Sequence, residues 1–314
     1  MRLPRATAPD ASPAAHAAHA AAVLAACGVE PGTLLHSGEI VDVIRGFVGR
    51  PRARFAGLRS GDLGAEPRSG DSCASPLRAE AAPLPVAVKL TRERWRGHPG
   101  AIELVAREHR VLASVDHPHI VRAHGFAERT GVAALVTELL PGGDLVPLVG
   151  GPPQQWVAAA RAVAAALAAV HAAGFVHGDV KARNVLFDAS GRAKLIDFGS
   201  ARPIGSPRAR GGRTRAHEIL RFDVARASPV EDAYAFAVLL YELMSGRLPF
   251  GPEPARWSPP APLDAGSGRA LDALAARVTA TLHAERPEGV VTLIELADVL
   301  ESVHAEAARG PVDG

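Results

Sequence analysis

Lysine is nearly missing from this chain: of 35 basic residues only Lys89, Lys181 and Lys194 are lysine, and the rest are arginine. Abundant alanine and glycine accompany that preference, as in GC-rich coding. Lysine differs from arginine as a compact point charge that contacts a phosphate without a planar fork, so each retained lysine marks a position to inspect. Cysteine is also scarce. Cys27 and Cys73 are the only two, which excludes a disulfide framework and a cysteine-based metal site and points to a reducing setting, the cytoplasm. Charge of one sign is not in excess, since 35 basic residues face 33 acidic ones. A global pull toward nucleic acid or an anionic membrane is therefore not expected. One apolar stretch, 156–173, is long enough to resemble a membrane span, but Arg161 and His171 interrupt it. It reads as a packed helix, and no membrane span is expected.

What is present is concentrated at 175–202. The runs Val185-Leu186-Phe187 and Lys194-Leu195-Ile196 flank Asp188-Ala189-Ser190-Gly191, whose Asp, Ser and Gly are turn formers. This spacing predicts a tight β-hairpin. Asp179, Lys181 and Asn184 lie just before its first strand and Asp197 just after its second. Folding the hairpin gathers two carboxylates, a carboxamide and an ammonium at one spot. Acids and an amide together suit a hard cation such as magnesium, which takes oxygen ligands and is often shared with substrate phosphates.

The remaining chain supplies partners for that spot. Residues 1–35 are rich in Ala, Pro and His and read as a flexible or short-helical extension; the apolar 20–26 lacks the flanks of a signal peptide. Strand-like runs at 39–45 and 52–58, with Gly46-Phe47-Val48-Gly49 between them, suit a hairpin, and 60–83 reads as an inserted loop. The strand Pro85-Val86-Ala87-Val88-Lys89-Leu90 carries a lysine among valines, which needs an anionic partner. Helical spacing over 101–115 supplies Glu108, with Glu103 as runner-up. The run 132–140 predicts a buried strand ending at Pro141-Gly142-Gly143, where Asp144 suits a helix-start cap. Asp232 opens an apolar helix that Gly246 closes, and helices at 271–282 and 290–303 follow. The arginines of 200–215 read as a solvated loop in an arginine-biased chain, with a docking surface for acidic substrates as the other reading.

The order His177-Gly178-Asp179-Val180-Lys181-Ala182-Arg183-Asn184, then Asp197-Phe198-Gly199, resembles the catalytic and metal-binding loops of the protein kinase family. Val86-Ala87-Val88-Lys89 resembles that family's lysine strand, and Ala216-His217-Glu218 its A-P-E. The resemblance is to bacterial eukaryotic-like (Hanks-type) serine/threonine kinases and implies an α+β, bilobal fold. A small β-rich lobe with one helix would occupy about 36–137, with the 60–83 insert, and a mainly helical lobe about 138–305, leaving a tail at 306–314.

The same resemblance implies ATP and Mg2+ as reactants. Asp179 would accept the substrate hydroxyl proton and Lys181 would neutralise the transferring γ-phosphoryl, as in the serine/threonine branch. Asn184 and Asp197 would hold magnesium, and Glu108 would orient Lys89 toward the α- and β-phosphates. Gly46 and Gly49 would belong to the glycine-rich loop, with Ile44 at its first glycine position. Ala87, Thr137, Glu138, Leu140 and Leu186 would contact the nucleotide, with Asp144 at the ribose edge. Asp232 would support the catalytic-loop backbone, and Arg286 would pair with Glu218. The implied partner is a protein substrate, with autophosphorylation as a further reaction. Gly178 stands where relatives commonly carry an arginine that binds a phosphorylated residue, which argues against that electrostatic switch. Two other functions stay open: a catalytically silent binding module, and a small-molecule phosphotransferase of the aminoglycoside type, suggested by His-Gly-Asp.

Overall fold

A computed structural model of the chain describes residues 13–48, 83–207, 226–250 and 268–309. They form two units, a small one from the chain up to Ala113 with Arg122–Leu139, and a large one from Ser114–Val121 with the chain from Leu140 onward.

In the small unit, five antiparallel strands lie in the order β1-β2-β3-β5-β4. They are β1 (Val29–Ser37), β2 (Val41–Val48), β3 (Leu84–Thr91), β4 (Ala123–Arg129) and β5 (Val132–Glu138). The two-residue period of a strand decides what each face does. Val86, Val88 and Leu90 of β3 share a buried face with Val132, Ala134 and Val136 of β5, while Ala87 and Lys89 alternate to the other side. A first helix, α1 (Pro13–Ala26), lays Ala20, Val23 and Leu24 on the apolar face, and Cys27 follows at the same spacing. Positions 20, 23, 24 and 27 form one helical stripe. The Cys27 thiol is pushed up to about 11 by burial and is inert there.

Two expectations are corrected here. The flexible or short-helical extension expected over 1–35 is helical at Pro13–Ala26, but 13–35 are part of the fold and not an extension to it, because α1 enters the core and most of β1 lies before residue 36. Nor does a hairpin turn fall at Gly46. Gly38-Glu39-Ile40 joins β1 to β2, whereas Gly46 lies within β2, opposite Pro31 and Val86. A Cβ on Gly46 would meet Val29 Cγ1 at 2.6 Å, so close strand packing demands this glycine. Gly49, the 52–58 run and all but the last residue of the 60–83 insert lie outside the described residues.

The large unit is mainly helical, with α3 (Pro153–Ala172), α4 (Pro229–Ser245), α5 (Arg269–His283) and α6 (Leu293–Arg309). Helix α3 is long and apolar enough to cross a membrane by length and composition. Here it packs on α6 and α4, burying Trp156, Val157, Val163, Leu167 and Val170. Helix α4 begins at Ser228, whose hydroxyl and Glu231 form a capping box, and ends at Gly246 in the left-handed region at φ 74°. Two short ladders lie on this scaffold: β6 (Phe175–Val176) with β9 (Arg202–Pro203), and β7 (Val185–Phe187) with β8 (Ala193–Leu195).

Candidate active site

The β7–β8 hairpin forms where the turn residues place it. Asp188 organises the turn by accepting from the amides of Ser190 at 2.8 Å and Arg192 at 3.0 Å. Burial opposes ionisation, yet these bonds and that of the Ser190 hydroxyl hold its carboxyl well below the usual range. Val185 pairs with Leu195, and one step beyond, the Ile196 amide donates to Asn184 O at 2.9 Å. The hairpin thereby sets Asn184 beside Asp197.

Asp179, Lys181 and Asn184 converge on one carboxylate. Lys181 Nζ donates to Asp179 Oδ2 at 2.7 Å. Asn184 Nδ2 donates to the same oxygen at 3.0 Å and to Asp179 O at 2.7 Å. The histidine two residues upstream braces this loop from inside. His177 Nδ1 accepts the Asp179 amide at 3.2 Å, so Nε2 carries the hydrogen and donates to Ile196 O at 3.0 Å. Its ring meets Phe198 edge-on, with centroids 4.7 Å apart.

Beneath the loop lies Asp232, fully buried. Its Oδ2 accepts the His177 amide at 2.7 Å and His171 Nε2–H at 2.8 Å, and its Oδ1 accepts the Gly178 amide at 2.8 Å. Burial alone would raise this carboxyl; the His171 hydrogen bond, the neighbouring imidazoles and the Gly178 amide outweigh it, so the pKa is lowered. Gly178 has φ 78°, a conformation a side chain would strain. Asp197 occupies the left-handed region without being glycine, at φ 63° and ψ 68°.

The small unit carries its own pair. Lys89 Nζ donates to Glu108 Oε2 at 2.6 Å, with the two side chains 14% and 5% exposed. On α2 (Pro99–Ser114) Glu108 belongs to the buried stripe of Ala101, Val105 and Leu112. Glu103, the runner-up, is exposed and pairs with Arg107 and Arg110 instead. Opposite Ala87, Thr137 Oγ1 lies 3.3 Å from Glu138 O and 3.5 Å from Ala87 O. The Glu138 carboxylate is taken by the Arg122 amide at 2.7 Å.

Other anticipated residues sit in the large unit. Asp144 Oδ1 accepts the Val146 amide at 3.1 Å as a local turn, while the short 3-10 helix that starts there has Leu145, not Asp144, at its cap; the Asp144 backbone bridges Leu186. Leu140 is buried. Arg286 is exposed, and its expected partner Glu218 lies outside the described residues. Three residues escaped sequence reasoning: His171, Arg202 and Glu231. Arg202 Nη2 reaches Glu231 Oε2 at 2.5 Å in a buried pair. The only sequence signal for it is two adjacent acids, Glu231-Asp232, opening an otherwise apolar helix.

The donor set fits magnesium. The Asn184 amide oxygen, opposite the nitrogen that Asp179 engages, accepts no hydrogen bond among the described residues. No cluster of three or more His, Cys, Asp or Glu side chains suited to a metal occurs among those residues. A cation here would draw on the Asn184 oxygen and the Asp197 carboxylate and take its other ligands from phosphate and water, as magnesium does.

The chain matches the family model of the protein kinase domain over residues 74–257. It is 38% identical over 188 residues to serine/threonine-protein kinase PkaB of Streptomyces coelicolor, covering 53% of this chain and 44% of that protein. It is 32% identical over 246 residues to serine/threonine-protein kinase pkn2 of Myxococcus xanthus, covering 70% of this chain and 29% of that one. Serine/threonine-protein kinase PknL of Mycobacterium tuberculosis is 34% identical over 175 residues, covering 53% and 44%. The chain spans less than half the length of these relatives. The family match takes in Lys89, Glu108 and the whole of 177–199, the residues whose contacts are described above: the chain belongs to the protein kinase domain family.

Proposed function

We propose that the chain is an ATP- and magnesium-dependent serine/threonine protein kinase that transfers the γ-phosphoryl group to a protein hydroxyl, its own included. The observation that carries this reading is the contact of Lys181 Nζ with Asp179 Oδ2 at 2.7 Å on a loop whose backbone is pinned by Asp232. Phosphoryl transfer asks a protein for positioning and charge stabilisation more than for covalent chemistry. Asp179 orients the attacking hydroxyl and receives its proton. Lys181, beside it, offsets negative charge on the group in transit. Asn184 and Asp197 hold magnesium, which when bound neutralises phosphate oxygens. Lys89, kept in place by Glu108, is the further cation that this reading assigns to phosphate. We assign the reaction to the cytoplasm, a reading supported by a chain with two cysteines, of which Cys27 is a free, buried thiol.

The test is label transfer from γ-labelled ATP to a generic protein substrate and to the chain itself, compared with Asp179→Ala. Loss of the base is expected to slow transfer by about 100-fold or more. Equal incorporation by the two proteins would sink the assignment.

A further inference from the structure

The segment that leaves Asp197 is held by an ion pair outside the machinery described so far. Arg202 reads in sequence as one of a run of solvated arginines, yet its side chain is 10% exposed and that of its partner Glu231 3%. A buried pair is weak support for stability, since desolvation offsets most of the attraction, so stability alone does not account for it. Its position supplies another reason. Glu231 directly precedes Asp232 in the first turn of α4. Asp232 holds the amides of His177 and Gly178, and Arg202 faces Val176 across the β6–β9 ladder. Adjacent acids on one helix turn therefore fix two stretches of chain, the loop bearing Asp179 and the segment leaving Asp197.

The chain between those fixings is short. Ile196 is tied at its amide to Asn184 O and at its carbonyl to His177 Nε2. Then come Asp197, one tight turn over Phe198–Ser200, Ala201, and Arg202. Asp197 sits at φ 63°, a region that costs a residue with a side chain, least for Asp and Asn, and that its surroundings help to hold. Ile196 secures one flank, and the Arg202–Glu231 pair secures the other.

We propose that Arg202, through its buried ion pair with Glu231, is a positioning residue that keeps Asp197 in the left-handed conformation serving the cation. The role of the cation rests on the kinase reading; the holding of Asp197 does not. Without the pair, Asp197 relaxes toward ordinary backbone, the competent fraction falls, and apparent cation affinity falls in proportion.

The experiment uses the full chain as wild type, Arg202→Lys, Glu231→Gln, and the double variant Arg202→Met with Glu231→Gln, which leaves no orphaned charge and keeps the α4 capping box that residue 231 completes. The first readout is hydrogen exchange of the amides at 196–202, without nucleotide. Exchange about tenfold faster in the double variant, with α3 amides unchanged, is expected. Should the double variant fail to fold, Glu231→Gln is read the same way, and unaltered exchange overturns the proposal. The second readout is phosphate transfer with magnesium titrated. The half-maximal magnesium concentration is expected to rise about tenfold, with a smaller change in maximal rate, and to return toward wild type in Arg202→Lys. A uniform loss of rate at every magnesium concentration assigns the pair a structural role alone and overturns the proposal. A wild-type chain without any transfer refutes the kinase reading, and the exchange readout still decides the role of Arg202.

Discussion

Asp232→Asn preserves the shape of the side chain and removes its charge. In the native protein this carboxylate, 0% exposed, serves three donors: the His177 amide at 2.7 Å, His171 Nε2–H at 2.8 Å and the Gly178 amide at 2.8 Å. An asparagine has one acceptor oxygen where aspartate has two. If that oxygen keeps the end shared by His177 and His171, the new NH2 group confronts the Gly178 amide. A hydrogen bond to a charged group contributes about 1.5–3 kcal/mol, and a buried donor left unmade costs about 1–3 kcal/mol. The expected loss is about 3–4 kcal/mol, allowing for partial relaxation. Urea denaturation followed by tryptophan fluorescence measures it, with a midpoint lower by about 1–2 M. The pH profile gives a second check. The native Asp232 carboxyl is held below its ordinary value, whereas the unfolded one titrates near about 3.9. Its contribution is therefore complete above that unfolded value and is lost as pH falls through the depressed native one. The asparagine variant has nothing to protonate there and loses less stability over the same acid window. A variant within about 1 kcal/mol of wild type at neutral pH, with an unaltered acid profile, would refute the anchoring argument.

Lys89→Met leaves the buried Glu108 carboxylate without its lysine. It is expected to destabilise the small unit by about 3 kcal/mol, read by thermal melting, and to abolish most phosphate transfer. Glu103→Gln, at an exposed carboxylate, should change stability by no more than about 0.5 kcal/mol and leave transfer intact. Leu24→Ala in α1, at a side chain 1% exposed, is expected to cost about 2–5 kcal/mol in chemical denaturation. A cost near zero would return α1 to the status of a helical extension outside the core.

How far the fold is legible depends on how much of each element is local. The β7–β8 hairpin is specified by its turn residues, and α4 by Ser228, Glu231 and Gly246 at its ends, so both can be read from neighbours along the chain. Helix α1 is harder. Its stripe of Ala20, Val23, Leu24 and Cys27 has helical spacing, but alanines between and around it blur the contrast between faces. Only the strand residues Val86, Val88, Leu90, Val132 and Val136 reveal what the stripe covers, and those come from distant sequence. The turn after β1 fails for a related reason. Gly46 and Gly38 look alike as letters, and the pairing of Gly46 with Val86 makes one a strand residue and leaves the other in the turn.

The chemistry-bearing side chains are legible for the opposite reason. Asp179, Lys181, Asn184 and Asp197 are tied to one hairpin, and their spacing survives whatever surrounds it. Their anchors are not legible in the same way, because anchoring is a tertiary property. Arg202 looks like its neighbours in an arginine-rich run until Glu231 is found 2.5 Å away, and His171 looks like the end of an apolar helix until it meets Asp232. Gly178 shows how the two levels combine. As a letter it is the loss of a cation beside Asp179. In the structure it is also a backbone position at φ 78°, where a side chain would cost about 1–2 kcal/mol. The Asp232 carboxylate takes its amide, and the preceding acid on α4, Glu231, holds Arg202 on the segment that leaves Asp197. Adjacent acids on one helix turn thus hold two stretches of the site, one through the amide of Gly178 and the other through the guanidinium of Arg202.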